Sequence, residues 1–417
     1  MKLVALLVKL KMEFFSCLLQ IVSFCSILLL PLQSNASSSI PRSSFTVPKA
    51  SEISRGDASY AHPTDKEAVF YNPSAALHFF NKCQLEIESK TKEGQEESTV
   101  PTVAKEKPEC ERDNVEFFIQ TDFNDGTKNV YTEFSALNTS DVGESLEKVE
   151  SVVNKKLYTK LSLGTSIIFS KYFSFALVNN INYISTIRGE ISPILDLEAD
   201  IELASHFSFI LPMYKNFWMG FSLIPTYLLH HEYHDSITAL VTDSGLEQIN
   251  PLKSGKEGFA LQTNFSLTYR HEINTTNQIS FGLMSKNPLE AKFIKFGILN
   301  TEVSSEPDNI IPETISGVTY EYLWWGNVKF QGMYSYKYQN VDYGSRSAPS
   351  PHRLGLSVNI NDFLTLSVGQ YKEKLTYGFD LNFIFTRVQF ASYEEQDDPG
   401  DSDERDRRYV IQASLSF

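Results

Sequence analysis

The sequence predicts an all-β chain, an antiparallel transmembrane β-barrel of about 14 strands with an N-terminal hatch segment. Three observations carry that expectation: long runs of period-two alternation, an N-terminal export signal, and an alternating C-terminus that ends on Phe417. A chain of 417 residues with 42% hydrophobic content can bury a large core. Its 30 Phe and 20 Tyr, with Gly and Pro scattered rather than clustered, suit many strands separated by turns. The net charge of -14 argues against a nucleic-acid partner, because phosphates are bound by clustered Lys and Arg.

Residues 1–36 read as a cleaved signal peptide: Lys2, Lys9 and Lys11 precede an apolar run from Phe14 to Leu32, and Ser34-Asn35-Ala36 offers small residues for cleavage. An uncleaved membrane anchor is the alternative. Cys17 and Cys25 lack the flanking residues of a lipid-attachment box. No later stretch is long and apolar enough for a transmembrane helix, so a membrane role falls to strands. Residues 37–113 form an N-terminal hatch region that includes a charged, low-complexity insertion from Gln84 to Arg112. Cys83 and Cys110 bracket that insertion and would meet an oxidising compartment; a disulfide between them and two free thiols are both open.

Residues 114–417 carry the barrel pattern. Side chains two apart share one face of a strand, so an apolar/polar alternation marks a wall with one lipid-facing and one lumen-facing side. Leu161, Leu163, Thr165, Ile167 and Phe169 alternate with Ser162, Gly164 and Ser166, and Phe259 to Tyr269 alternate with Ala260 to Arg270. The pattern returns over Val328–Tyr338, Leu354–Ile360 and Leu364–Val368. Several runs reach the roughly 9 to 11 residues a tilted membrane strand needs, which separates them from the shorter strands of a soluble sandwich. Tyr320, Tyr322, Trp324 and Trp325 fit an interfacial aromatic girdle. Tyr409, Ile411, Ala413, Leu415 and Phe417 are apolar at every second position and resemble the C-terminal assembly signal of bacterial outer-membrane barrels.

An even strand count with both chain ends in the periplasm places Glu394–Arg405, Lys372–Lys374, Val341–Pro351, Lys286–Pro312 and Glu232–Lys256 outside. The turns at Asn361-Asp362 and Trp325–Asn327 then fall inside, and a first strand is required within Val115–Leu137. Val142, Leu146, Val149 and Val153 have helical spacing and suggest a short surface helix.

Asp196, Glu198, Asp200 and Glu202 alternate with apolar residues and should all face the lumen from one strand. Arg270, Lys329, Lys337 and Arg353 share the inward parity and could neutralise them, making either a polar passage or a hydrated, salt-bridged filling. His230, Glu232 and His234 would share a face, a spacing that could bind a divalent metal, yet Asp235 stands where a metalloprotease motif needs His. A solvated rim is the better reading there, so no metal and no cofactor are expected. No nucleophile elbow, phosphate-cradling Gly loop, CxxC pair or triad order is present, so no residue is a candidate for catalysis.

Ser54-Arg55-Gly56-Asp57-Ala58, followed by Ala68 to Leu77 with Tyr71, Asn72, Pro73, Ser74 and Ala75 at its centre, resembles the N-terminal segment of the FadL-like outer-membrane barrels. The C-terminal third, including Leu354–Val368, Tyr377-Gly378-Phe379 and Asp406 to Tyr409, looks more like the TraF-like and PorV-like branch. The first resemblance implies a 14-stranded outer-membrane barrel whose lumenal hatch gates entry of a hydrophobic small molecule, with Pro73 fixing the plug backbone and Asn72 capping a turn. The second implies a structural barrel associated with secretion or conjugation. Ser74, where Ala is usual, and the insertion after Cys83 depart from the family pattern. Expected partners are outer-membrane lipids, the export and barrel-assembly machinery and a hydrophobic ligand, with no nucleic acid. A soluble periplasmic β-protein is the remaining alternative.

Overall fold

The computed structural model describes residues 50–61, 68–74, 115–128, 156–170, 172–189, 194–214, 216–236, 254–299, 305–324, 327–339, 350–395 and 406–416. The signal region, the Cys83 and Cys110 pair, Ala75, Trp325, Phe417 and the segment Val142–Val153 lie outside the described residues.

The strands, in chain order, are β1 (Val115–Asn124), β2 (Lys156–Ser170), β3 (Phe173–Arg188), β4 (Ile194–Tyr214), β5 (Phe217–Ser236), β6 (Lys256–Glu272), β7 (Asn277–Lys286) and β8 (Ile294–Lys295). They continue as β9 (Glu313–Trp324), β10 (Val328–Gln339), β11 (His352–Ile360), β12 (Leu364–Tyr371), β13 (Lys374–Asn382), β14 (Thr386–Glu395) and β15 (Asp406–Ser416). Each wall strand pairs antiparallel with its sequence neighbours, β7 pairs with β9, and β1 pairs with β15, so fourteen strands close into a barrel. Closure leaves no open edge, which is what a sheet in lipid requires. The two-residue β8 stands outside the ring, where the β7–β9 connection folds back onto Gly258 and Phe259 of β6.

The alternation sorts the wall as expected. On β1, Phe117 and Ile119 point outward and are each 50% exposed, whereas Phe118 is 5% exposed and Gln120 is fully buried inside. Leu163, Leu261, Phe281, Leu354, Leu356, Leu366 and Ile411 continue the outward apolar band, while Ser162, Gln262, Ser280, Ser357, Thr365 and Gln412 line the interior. An apolar outside around a polar inside inverts the soluble pattern and defines a transmembrane β-barrel. Tyr320, Tyr322 and Trp324 lie on the exposed face of β9, and Trp324 packs 6.0 Å from Phe330.

Short connections collect at one end of the barrel. Asn361 and Asp362 both take positive φ and close a tight turn through the Phe363 N–H to Ile360 carbonyl bond of 3.0 Å. Residues 372–373, at the opposite end, form another two-residue turn with positive φ at Lys372 and Glu373. The remaining connections at that opposite end, which we call the loop end, are longer. β5 runs to Ser236 rather than ending before Glu232, because its pairing with β4 continues unbroken through His230, Glu232 and His234.

Candidate functional site

The lumen holds a folded segment. Helix α1 (Ala50–Ser54), a single 3-10 turn (Ser59–Ala61) and helix α2 (Ala68–Tyr71) lie within the ring of strands, and residues 50–61 are buried throughout. α1 packs on β12 to β15, the 3-10 turn on β7, β9 and β10, and α2 on β3 and β4. Phe70 reaches Phe118 of β1 with ring centroids 5.7 Å apart, so the segment meets the wall on every side.

The Ser54–Ala58 motif is explained by two demands on Gly56. It ends α1 with φ of +71°, while the Gly56 N–H donates to the Ile53 carbonyl (2.9 Å) and the Asp57 N–H to the Glu52 carbonyl (2.8 Å). Its backbone also presses on the wall: a Cβ there would lie 2.3 Å from the Leu354 carbonyl oxygen and 2.6 Å from the Gln370 nitrogen. The wall is cut away to match. Gly355 of β11 and Gly369 of β12 are direct cross-strand partners, and a Cβ on either would strike the Arg55–Gly56 backbone at 2.3 Å. A second such pair, Gly282 of β7 and Gly317 of β9, faces Ala61, at 2.7 Å from its Cα on the Gly282 side. Gly220 of β5 receives Pro73 and Ser74.

Polar bonds supplement these seats. The Asn72 carboxamide donates to the Tyr60 carbonyl (2.8 Å) and to Thr268 Oγ1 (3.2 Å), so it ties the two halves of the segment to each other and to β6. The Ser74 hydroxyl donates to Asn72 Oδ1 (2.7 Å) and lies 2.6 Å from Thr268 Oγ1, and the Ser74 N–H donates to Ser266 Oγ (3.0 Å). The hydroxyl that distinguishes Ser74 from the usual Ala thus adds hydrogen bonds within the lumen. Ser335 and Thr376 donate to the Asp57 and Ser54 carbonyls, both at 3.2 Å.

A buried charged group stands beside the 3-10 turn. Glu313 at the start of β9 lies between Lys286 (3.2 Å) and Lys337 (2.9 Å), with Gln339 donating to it at 2.6 Å. The Lys286 ammonium also sits 5.3 Å from the Tyr60 ring centre, and Asp57 interacts electrostatically with both lysines. Sequence reasoning placed Lys337 on the inner face but missed Glu313 and Lys286. Both stand at the ends of the β7–β9 connection, where the alternation of each strand had just begun or just ended.

The four basic residues that could neutralise the acidic row make contacts elsewhere. Arg270 donates to Gln278, Lys329 pairs with Asp362 (2.9 Å) at the turn end, and Lys337 pairs with Glu313. Arg353 donates to backbone carbonyls of Ser350 and His352 and lies 4.7 Å over the Tyr371 ring. Asp196, Glu198, Asp200 and Glu202 instead meet groups on the adjacent strands. Asp200 pairs with His230 (2.7 Å), Glu202 accepts from Asn180 (2.8 Å), and Asp196 pairs with Arg188 (2.9 Å) and His234. The reason is reach: a cross-strand neighbour is closer than a residue across the lumen. His230 is also not part of a solvated rim, since its side chain is fully buried, whereas His234 is 75% exposed.

The β7–β9 connection closes over the loop end. Ala291, Phe293 and Ile310 pack with Leu228 and Ala260 on the inner face of β5 and β6. Leu289, Ile294, Phe296, Ile298 and Leu299 of the same connection are exposed. The Glu257 carboxylate anchors it by accepting from the Leu299 N–H (2.9 Å), the Ile298 N–H and the Tyr227 hydroxyl.

These features define a class, a fourteen-stranded transmembrane β-barrel with a segment of its own chain folded in the lumen. No family model matches the sequence, and no curated protein does. Among solved structures, the chain is similar to the toluene transporter TodX of Pseudomonas putida, at 10% identity and a TM-score of 0.44 over 91% of this chain and 99% of that one. The toluene transporter TbuX of Ralstonia pickettii gives 10% identity and 0.44 over 88% and 98%. A FadL homologue from Pseudomonas aeruginosa gives 11% identity and 0.37 over 89% and 99%. At such identities these similarities assign neither a family nor a ligand to this chain.

Proposed function

We propose that this chain is a FadL-like barrel of the bacterial outer membrane that admits or binds a hydrophobic small molecule, with the segment around Tyr71–Ala75 as its hatch. The observation that carries the reading is the lumenal segment itself. It lies inside the ring of strands, and its described residues are seated by shape-matched glycines and side-chain hydrogen bonds, without strand pairing to the wall. Such a plug can shift without opening the barrel. The exposed apolar residues Leu289, Ile294, Phe296, Ile298 and Leu299 at the loop end supply a first surface for an apolar solute. The loop end would then face the medium and the turn end the periplasm, and Tyr409 to Phe417 would serve as the assembly signal.

The test is conductance in planar bilayers together with uptake of a radiolabelled apolar solute into proteoliposomes, for the wild type and for a form lacking residues 50–74. Uptake by the wild type and raised conductance on deletion are expected. Absence of both, in protein that still shows the heat-dependent gel shift of a folded barrel, would overturn the reading. Deleting Phe417 should abolish that shift in cells by preventing assembly.

A further inference from the structure

The buried charged group beside the 3-10 turn is shared between the wall and the lumenal segment. The wall contributes two ammonium groups and one carboxylate: Lys286 faces Glu313 across the β7–β9 register at 3.2 Å, and Lys337 reaches the same carboxylate at 2.9 Å. The segment contributes Asp57, which is buried. The Asp57 carbonyl accepts from Ser335 (3.2 Å), two residues from Lys337 on the same face of β10. Its carboxylate accepts a hydrogen bond from Tyr60, whose ring centre lies 5.3 Å from the Lys286 ammonium. Both lysines interact electrostatically with Asp57 as well as with Glu313. Asp57 thus brings a second negative charge to the two positive ones. The glycine seats and the Asn72 and Ser74 hydrogen bonds are uncharged, so this is a contact of a different kind.

We infer that Asp57 is an ionic catch that holds the segment in its seat, and that a small anion from solution takes its place at Lys286 and Lys337 when the segment swings out. The inference rests on the reading of residues 50–74 as a movable hatch, and adds what holds the hatch and what releases it. With Asp57 gone, two lysines share one carboxylate in the lumen wall, and an enclosed charge left without its counter-charge is costly. An incoming anion offsets that cost. Because it binds the unseated form alone, dissolved salt favours unseating by mass action, and screening of the newly wetted charges acts in the same direction. Asp57 has φ of +58°, a left-handed backbone that Asp and Asn both tolerate. Asp57→Asn therefore removes the charge while keeping the backbone fit and an oxygen acceptor for Tyr60.

The experiment is limited trypsinolysis after the buried Arg55 in the full-length barrel in detergent, with the heat-dependent gel shift confirming the fold of each variant. Each rate is divided by that of the same variant unfolded, because Asp57 follows the cleaved bond closely enough to affect trypsin directly. Wild-type cleavage should rise about tenfold between about 0.01 M and about 1 M NaCl, as the screening length falls from about 30 Å to about 3 Å. Asp57→Asn should be cut about tenfold faster than the wild type at low salt and respond little to added salt. Lys337→Gln should also be cut faster at low salt, and the double variant no faster than the faster single one, as for two ends of one interaction. Gly369→Ala, which disturbs a seat and no charge, should be cut faster than the wild type while keeping its salt dependence. If Gly369→Ala behaves so but Asp57→Asn matches the wild type at low salt or shares its salt dependence, the catch is overturned and the hatch stands. If no variant, Gly369→Ala included, is cut faster, the movable hatch falls and the catch with it.

Discussion

Replacing Gly369 by Ala places one methyl group in one of the lumenal segment's tightest seats. The new Cβ would stand 2.3 Å from the Gly56 nitrogen, 2.4 Å from the Arg55 carbonyl carbon and 2.8 Å from its oxygen, all backbone atoms with no rotamer to escape into. Ordinary contact would require the segment to retreat by about 1 Å. It cannot tilt in place, because Gly56 is already wedged against Leu354 and Gln370. Overpacking of this kind costs about 1–3 kcal/mol. That shifts the balance between seated and unseated segment by roughly 5–150-fold. The wall itself should survive, since the inner face gains a methyl and loses no strand pairing. Arg55 provides the assay: it is 2% exposed, so trypsin cannot reach it in the seated segment. Limited trypsinolysis of the folded barrel should cut after Arg55 faster in Gly369→Ala by the same factor, and single-channel conductance should rise. Gly332→Ala is the control, because its Cβ meets nothing nearer than Leu356 Cδ2 at 3.7 Å. Equal cleavage and conductance in Gly369→Ala and wild type, both heat-modifiable on gels, would refute the account of how the segment is held.

Glu313→Gln removes the carboxylate between the fully buried Lys286 and the half-buried Lys337 and should destabilise the barrel by about 3–5 kcal/mol; an unchanged thermal unfolding midpoint in detergent would contradict the arrangement. Ser74→Ala removes hydrogen bonds to Asn72 and Thr268 and is expected to cost about 1 kcal/mol, read as a modest increase in cleavage after Arg55. Leu356→Arg puts a charge on the outward face of β11 and should lower folding stability in lipid by about 2–4 kcal/mol, far more than an exposed position in a soluble protein would show. Refolding yield into phospholipid vesicles measures it, and a yield equal to that of the wild type would remove the membrane-facing role of that surface.

The amino-acid sequence by itself determined the class of fold, the direction in which each wall residue points and the positions of the tight turns. The period-two pattern is local, and burying one face of a strand specifies inside and outside for every residue on it. Parity requires a first strand within Val115–Leu137, and β1 occupies Val115–Asn124. What the tertiary structure alone decided is which inward residues meet. Glu313 finds Lys286 and Lys337 only because β9 pairs with β7 on one side and β10 on the other. His230 finds Asp200 rather than a base across the lumen because the register of β4 against β5 sets them opposite. The paired glycines, unremarkable one by one in the sequence, become seats only when two strands and the lumenal segment arrive together. Alternation reports the side of the sheet on which a residue lies; the stagger between strands, which brings partners face to face, is a property of the closed ring and is written in no single segment.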